Sequence, residues 1–397
     1  MLYYILVIVM KKLKIGLFID EWYPNIDGVV VVVENLVKNL SEYADVTLVI
    51  PYMGDKNIVF PCKTIEVDSI PVILADYRLA LADIEYLKLK KQFKDIDFDI
   101  IHIHSPFSIG KLGIKIARSK NIPVIATMHT RWEFEFEKYL KSKAIAKLCV
   151  KHLIKSYNKC DSSIALNKSL INVYKDYGYK GKYTIINNGT DLEIVKDKKK
   201  ALERVNNLFK LNKDDYLMLF VGRIVSFKNI FFILDTLKEL KKRNFNFKMI
   251  YVGDGPDYDS LSKKVKEYNM SNEVTLTGKI TDRELLKSIY YRANLFLFPS
   301  LFDSSSLVQI EAASQETPTI FVEGSVTSDT VENNFNGFTV KEDINLFADR
   351  IEEIYKDKKL YNKVQKNAKN TLAKSWKTIA KETYDYYLKV IEDYNKK

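Results

Sequence analysis

Two carboxylates, Asp303 and Glu311, stand eight positions apart in the stretch Phe298-Pro299-Ser300-Leu301-Phe302-Asp303-Ser304-Ser305-Ser306-Leu307-Val308-Gln309-Ile310-Glu311-Ala312-Ala313. The apolar run 294–298 has the length of a strand, and Pro299 ends it. Serines then offer hydroxyl caps ahead of Leu307 and Ile310 at helical spacing, which predicts a helix beginning near Ser305 or Ser306. At a rise of about 1.5 Å per residue the two acids then lie roughly 12 Å apart, with the helix N-terminus near the first. Such an N-terminus, with its free N–H groups and positive dipole end, seats a phosphate well. A nucleotide sugar has the matching order of parts: a hexose for Asp303, a diphosphate between, and a ribose for Glu311. Taken alone, the stretch fits equally well an ordinary strand, serine cap and helix whose acids are solvated.

Other residues of suitable chemistry fall where predicted strands end. The run 217–222 reads as a strand, and Gly222-Arg223-Ile224-Val225-Ser226-Phe227-Lys228-Asn229 carries it into a helix. The two cations, Arg223 and Lys228, therefore sit where a diphosphate would be neutralised. His104 and His129 close the predicted strands 99–105 and 123–129. A histidine there is commonly structural, but three of the four histidines of the chain fall on these neighbouring strands, which favours a site. Lys14 to Asp20 reads as the first strand, followed by a turn through Gly28 and a helix-length segment to Leu40. Five valines, Val29 to Val33, favour a strand by propensity; the strand-turn-helix placement favours a helix, with Gly28 letting backbone approach a ligand or simply making the turn. Gly253, in Gly253-Asp254-Gly255-Pro256 after the predicted strand 248–252, reads as a turn.

Further strands at 45–50, 64–67, 161–166, 183–186 and 274–277 alternate with helical segments, which implies an α/β chain of parallel βαβ units with sites at the carboxyl ends of the strands. At 397 residues the chain is long enough for two or three domains. The turn cluster Asn187-Asn188-Gly189-Thr190-Asp191 and the lysine-rich stretch after it place a boundary, giving an extension 1–12, domains 13–195 and 196–375, and a closing helix 376–397.

The central stretch resembles the paired-acid signature of retaining, two-domain glycosyltransferases of family GT4, in which two Glu are separated by seven residues and Ser-Phe-Gly follows the first. Here Asp303 stands for the first Glu, one methylene shorter, and Ser305-Ser306 stand for Phe-Gly. The resemblance extends over nearly everything after residue 12 and implies the GT-B fold, two Rossmann-like domains facing a cleft, with the closing helix crossing back onto the first domain. It implies donor contacts at Gly28, Ser304, Ser305, Ser306, Leu307, Gly253 and Glu311, and reaction-centre roles for Asp303, His129, Arg223 and Lys228; Asn187 to Asp191 resembles the family's interdomain junction. It also implies retaining hexosyl transfer from a nucleoside diphosphate sugar, with UDP and glucose first among the choices. No cofactor or metal is expected: the Asp pairs at 95–99 and 257–259 read as solvated caps.

The formal charge of +11 and a pI near 9.1 favour an anionic partner. No nucleic-acid motif accompanies the basic residues, so nucleic acid is not an expected partner. Cys62, Cys149 and Cys160 are odd in number and scattered, which suits a reducing cytoplasm. Met1 to Met10 is apolar but shorter than the roughly 20 residues that span a bilayer, and reads as a short extension or a mis-assigned start. Between 138 and 160, Lys143, Lys147, Lys151, Lys155 and Lys159 recur every four residues beside Ile145, Leu148, Cys149, Leu153 and Ile154. Residues 84–93 mix Tyr86, Leu87, Leu89 and Phe93 with Lys88, Lys90 and Lys91. Each is either an outer face packed on a sheet or a surface for acidic lipid. Lipid-directed members of the family use a basic amphipathic segment of the first domain in this way, which implies peripheral contact with the inner face of the cell membrane and a lipid acceptor such as diacylglycerol. A polysaccharide or soluble acceptor, and a catalytically weak binding subunit, are the alternatives.

Overall fold

Short apolar runs buried on both faces build two parallel sheets, as expected where helices cover each side. The computed structural model describes residues 12–23, 27–54, 62–72 and 78–396, so the apolar extension lies outside the described residues except for Lys12. The contacts divide the chain into two units, one comprising 1–166, 171–186 and 376–397, the other 167–170 and 187–375.

The first unit holds β1 (Leu13–Phe18), β2 (Ala44–Pro51), β3 (Lys63–Val67), β4 (Ser69–Pro71), β5 (Arg78–Ala80), β6 (Ile100–Ile103), β7 (Val124–Met128), β8 (Ser162–Ala165) and β9 (Tyr183–Ile185). Seven of these make one parallel sheet in the order β3-β2-β1-β6-β7-β8-β9, while β4 and β5 pair as an antiparallel hairpin. The second unit holds β10 (Leu217–Val221), β11 (Lys248–Val252), β12 (Val274–Leu276), β13 (Leu295–Phe298), β14 (Thr319–Val322) and β15 (Phe338–Val340), ordered β12-β11-β10-β13-β14-β15. Each sheet runs outward in both directions from its first strand. The switch points, where ligands bind in such sheets, therefore lie between β1 and β6 and between β10 and β13.

Tertiary placement overrides propensity at Gly28–Leu40, which is helical despite its valines. Asp27 accepts from the N–H groups of Val29 and Val30, and the face Val30, Val33, Leu36, Val37 and Leu40 is buried. Between 132 and 157 the chain makes two helices, Trp132–Leu140 and Lys143–Tyr157, parted by Lys141 in the left-handed region and by the Ser142 cap, so Lys159 lies beyond the lysine-bearing helix. The units part after Ile186, earlier than the boundary read at 195. The reason is Gln315, whose side chain accepts from Val195 N–H and donates to the carbonyls of Leu192 and Glu193, binding that segment to the second unit. The closing helix Trp376–Asn395 belongs to the first unit, where Tyr387 is fully buried.

Gly253 follows β11 at φ +142°, and a Cβ there would lie 1.9 Å from the Gly222 carbonyl oxygen. A Cβ on Gly255 would lie 2.4 Å from the Ile224 carbonyl oxygen, so these glycines let the loops after β10 and β11 cross backbone to backbone. Gly253→Ala is expected to lower the unfolding free energy by at least about 3 kcal/mol in urea titration; a loss below about 0.5 kcal/mol would contradict this crossing.

Candidate functional site

In the second unit the loops after β10 and β13 meet at the switch point. The first is laced to the loop after β11: Gly222 N–H donates to Val252, Ile224 N–H to Asp254, and both the N–H and hydroxyl of Ser226 donate to Asp257 at 2.6 Å. Asp257 is therefore a loop fastener rather than the solvated cap read from the sequence. Lys228 ends a single 3-10 turn, Ser226–Lys228. Asn229 follows in the left-handed region and donates to the Pro299 carbonyl at 3.0 Å, joining the two switch-point loops.

This places the Lys228 ammonium against both oxygens of Asp303, at 2.8 and 2.9 Å. The two side chains are only 15% and 23% exposed, so the pair is shielded from water. Arg223 is exposed and has no polar side-chain partner among the described residues. With Lys228 compensated by Asp303, Arg223 is the uncompensated cation of this loop.

The helix after β13 is Leu307–Ser314, capped by Ser306, whose hydroxyl accepts from Gln309 N–H at 3.4 Å. Ser306 has φ −104°, ordinary for any residue, so nothing in this backbone calls for the glycine that the family signature carries there. Ser304 offers its carbonyl to Asn167 at 2.7 Å, and the Ser305 hydroxyl accepts from Asn188 at 3.2 Å. Glu311 lies in the second turn, bonded to Arg283 at 3.0 Å and to the Tyr290 hydroxyl at 3.1 Å. Burial raises its pKa above the ordinary carboxylate value, while Arg283 and then Tyr290 hold it down.

The first unit is arranged differently at its own switch point. Asp20, partly buried, accepts from Ile109 N–H at 2.6 Å, from Gly110 N–H at 3.1 Å and from the Ser105 hydroxyl at 2.7 Å. A protein carboxylate thus takes the helix N-terminus that an anion would otherwise occupy. Gly28, at the start of its helix, has open space where a Cβ would sit. Glu21, which the sequence reading passed over, is raised to about 9 by burial and then by Asp27, Glu135 and Asp20, which favours its protonated form. Its only sequence signal was a second acid at a strand end.

His104 Nδ1 and His129 Nε2 are 3.0 Å apart. Burial lowers His129 to about 3 and His104 well below its usual value, so both rings are neutral and one donates to the other. His102 spends both ring nitrogens on Tyr387 and Thr127, at 2.7 and 2.6 Å, and is structural. Asp97 and Asp99 are also structural, bound to the side chain and backbone N–H of Lys14.

The lysine-bearing helix buries Ala146, Val150, Leu153, Ile154 and Tyr157. Ile145 and Leu148, read from the sequence as part of the same apolar face, are instead 52% and 70% exposed among Lys143, Lys147, Lys151 and Lys155. In the second segment Leu89 and Phe93 are buried, whereas Ile84 and Leu87 are 82% and 81% exposed beside Lys88, Lys90 and Lys91. Among the described residues no helix is long and apolar enough to cross a membrane.

Residues 26–194 match the pattern described as Glycosyltransferase Family 4, and residues 203–371 that of Glycosyl transferases group 1. The chain belongs to glycosyltransferase family GT4. This GT4 chain is 27% identical to the alpha-monoglucosyldiacylglycerol synthase of Acholeplasma laidlawii, over 97% of its own length and 99% of that protein's. It is 28% identical to the synthase of the same name from Streptococcus pneumoniae, over 78% and 70% of the two lengths. Among solved structures it resembles Anabaena HepE in complex with UDP-glucose, with 14% identity, a TM-score of 0.72 and coverage of 94% and 98%. Sucrose-phosphate synthase from Thermosynechococcus elongatus gives 20% identity, a TM-score of 0.74 and coverage of 96% and 100%. The fold is GT-B, two Rossmann-like domains.

The Glu311 arrangement makes a prediction independent of any ligand. Its folded pKa lies above its unfolded value, so its contribution to stability is present below the unfolded pKa and lost as pH rises through the folded one. Arg283→Met removes the cation and raises the folded value further. The variant should therefore lose more stability than the native chain between pH 5 and pH 8 in thermal unfolding, and an equal loss in both would contradict the electrostatic role of Arg283.

Proposed function

We propose that this GT4 glycosyltransferase moves a hexose, glucose first among candidates, from a UDP-sugar to a membrane lipid such as diacylglycerol, with retention and without a metal. The observation that carries the donor half is the set of groups at the second unit's switch point: Arg223, the Lys228–Asp303 pair and partly buried Glu311. The acceptor half rests on likeness to the monoglucosyldiacylglycerol synthases and on the exposed Ile145, Leu148, Ile84 and Leu87 among lysines. Each lysine near an acidic surface contributes roughly 1 kcal/mol, and the apolar side chains add burial in the interface.

In this reading Glu311 accepts from the ribose hydroxyls, and Arg223 and Lys228 balance the diphosphate. Asp303 orients the hexose hydroxyls, with Gly253 at a backbone approach. The bond from the anomeric carbon to the diphosphate oxygen breaks, and the acceptor oxygen bonds to that carbon on the same face. The acceptor proton passes to the departing diphosphate. The barrier falls mainly through stabilisation of the leaving charge by cations already in place.

Glu311→Ala should raise the donor KM about ten- to hundred-fold, the scale of hydrogen bonds to a charged group. Asp303→Ala should chiefly lower kcat. Unchanged kinetics in both variants would break the assignment. Nucleotide release should require liposomes of acidic phospholipid and diacylglycerol, and Ile145→Ser with Leu148→Ser should weaken that dependence; full release without lipid would point to a soluble acceptor. Activity should survive chelation, and loss restored by added Mg²⁺ or Mn²⁺ would overturn the metal-free reading.

A further inference from the structure

Two buried asparagines from outside the contiguous 203–371 segment reach the loop that carries Asp303. Asn167 and Asn188 are 3% and 4% exposed, and both belong to the second unit. Asn167 Oδ1 accepts from Leu170 N–H at 2.7 Å, which fixes the amide orientation, since a backbone N–H can only donate. Its Nδ2 therefore faces the Ser304 carbonyl, at 2.7 Å. One residue further on, Asn188 Nδ2 donates to the Ser305 hydroxyl oxygen at 3.2 Å.

A hydroxyl that accepts from an amide keeps its own proton for another partner. Ser305 is only partly buried, so that proton is available to a ligand at the mouth of the Leu307–Ser314 helix, next to the Lys228–Asp303 pair. We infer that Asn188 is a positioning residue that turns the Ser305 hydroxyl proton toward a phosphoryl oxygen of the bound nucleoside diphosphate, while Asn167 holds the adjoining Ser304 carbonyl in place. The inference rests on the donor site proposed above and deepens it. It explains what this loop gains from serines where the family signature has Phe-Gly: Ser306 caps the helix and Ser305 adds a directed donor. It also explains why the segment beyond Ile186 is bound into the second unit, since Asn188 must stay in register with Ser305.

The test is calorimetric binding of UDP and of GDP to the full chain and its variants. Ser305→Ala should weaken binding about ten-fold, as expected for one hydrogen bond to an anion. Ser305→Thr, which keeps the hydroxyl, should restore most of it. Asn188→Asp presents only acceptors, so Ser305 donates to it and its proton is lost to the ligand; this variant should match Ser305→Ala. The double variant should be no weaker than either single one, because both remove the same bond. A purely structural role for Asn188 would lower the melting temperature and leave UDP affinity unchanged. Native-like binding by Ser305→Ala or by Asn188→Asp, or losses that multiply in the double variant, would overturn the inference and leave the donor site standing. Should Asn188→Asp fail to fold, the comparison of Ser305→Ala with Ser305→Thr still decides the role of the hydroxyl. A native chain that binds neither nucleotide would instead remove the donor site, and this inference with it.

Discussion

The Lys228 ammonium and the Asp303 carboxylate hold one another across the switch point of the second sheet, and neither is well placed without the other. Each is largely withdrawn from water, where a lone charge is costly and a pair with matched geometry is tolerated. The surrounding loops serve that match. Gly253 and Gly255 let two backbones cross, Asp257 fastens Ser226, and Asn229 ties the lysine's turn to Pro299. Parallel strand order does the rest, because β10 and β13 are neighbours and their carboxyl ends open on the same side.

The two units use one architecture with opposite electrostatics. In the first, Asp20 and Asp27 occupy helix N-termini, and burial with neighbouring acids raises the pKa of Glu21. In the second, the corresponding helix is capped by a serine hydroxyl, and the loop before it holds the Lys228 ammonium against Asp303. Of the two switch points, the second is by charge the better suited to an anion. Burial keeps His104 and His129 neutral, so His129 can serve a sugar by hydrogen bonding and not as a fixed cation.

Most of the sheet framework was legible in the sequence, since buried parallel strands are short apolar runs and their order follows from alternation with helices. The strand at 294–298, the serine-capped helix and the cations at the end of 217–222 all lie close to where spacing placed them. The hairpin of β4 and β5 and the strands β14 and β15 were not read from the sequence, although β9, β12 and β13 are as short and were. Side-chain environment was less accessible. The sequence left the apolar residues of 138–160 open between packing and lipid contact; within the single helix Lys143–Tyr157 Val150, Leu153 and Ile154 are buried, while Ile145 and Leu148 lie on the opposite side in solvent. Asp257, Asn167 and Asn188 act across 31, 137 and 117 residues, distances at which local pattern carries no signal.

Hydrogen–deuterium exchange of the full chain with and without saturating UDP tests the central claim most directly, because it locates the nucleotide without assuming which residues matter. The account predicts slowed exchange confined chiefly to the segments 222–229 and 300–311 and to the loop that begins at Gly253. Protection centred on the ends of β1 and β6, or none at 300–311, would contradict a donor site built on Lys228, Asp303 and Glu311.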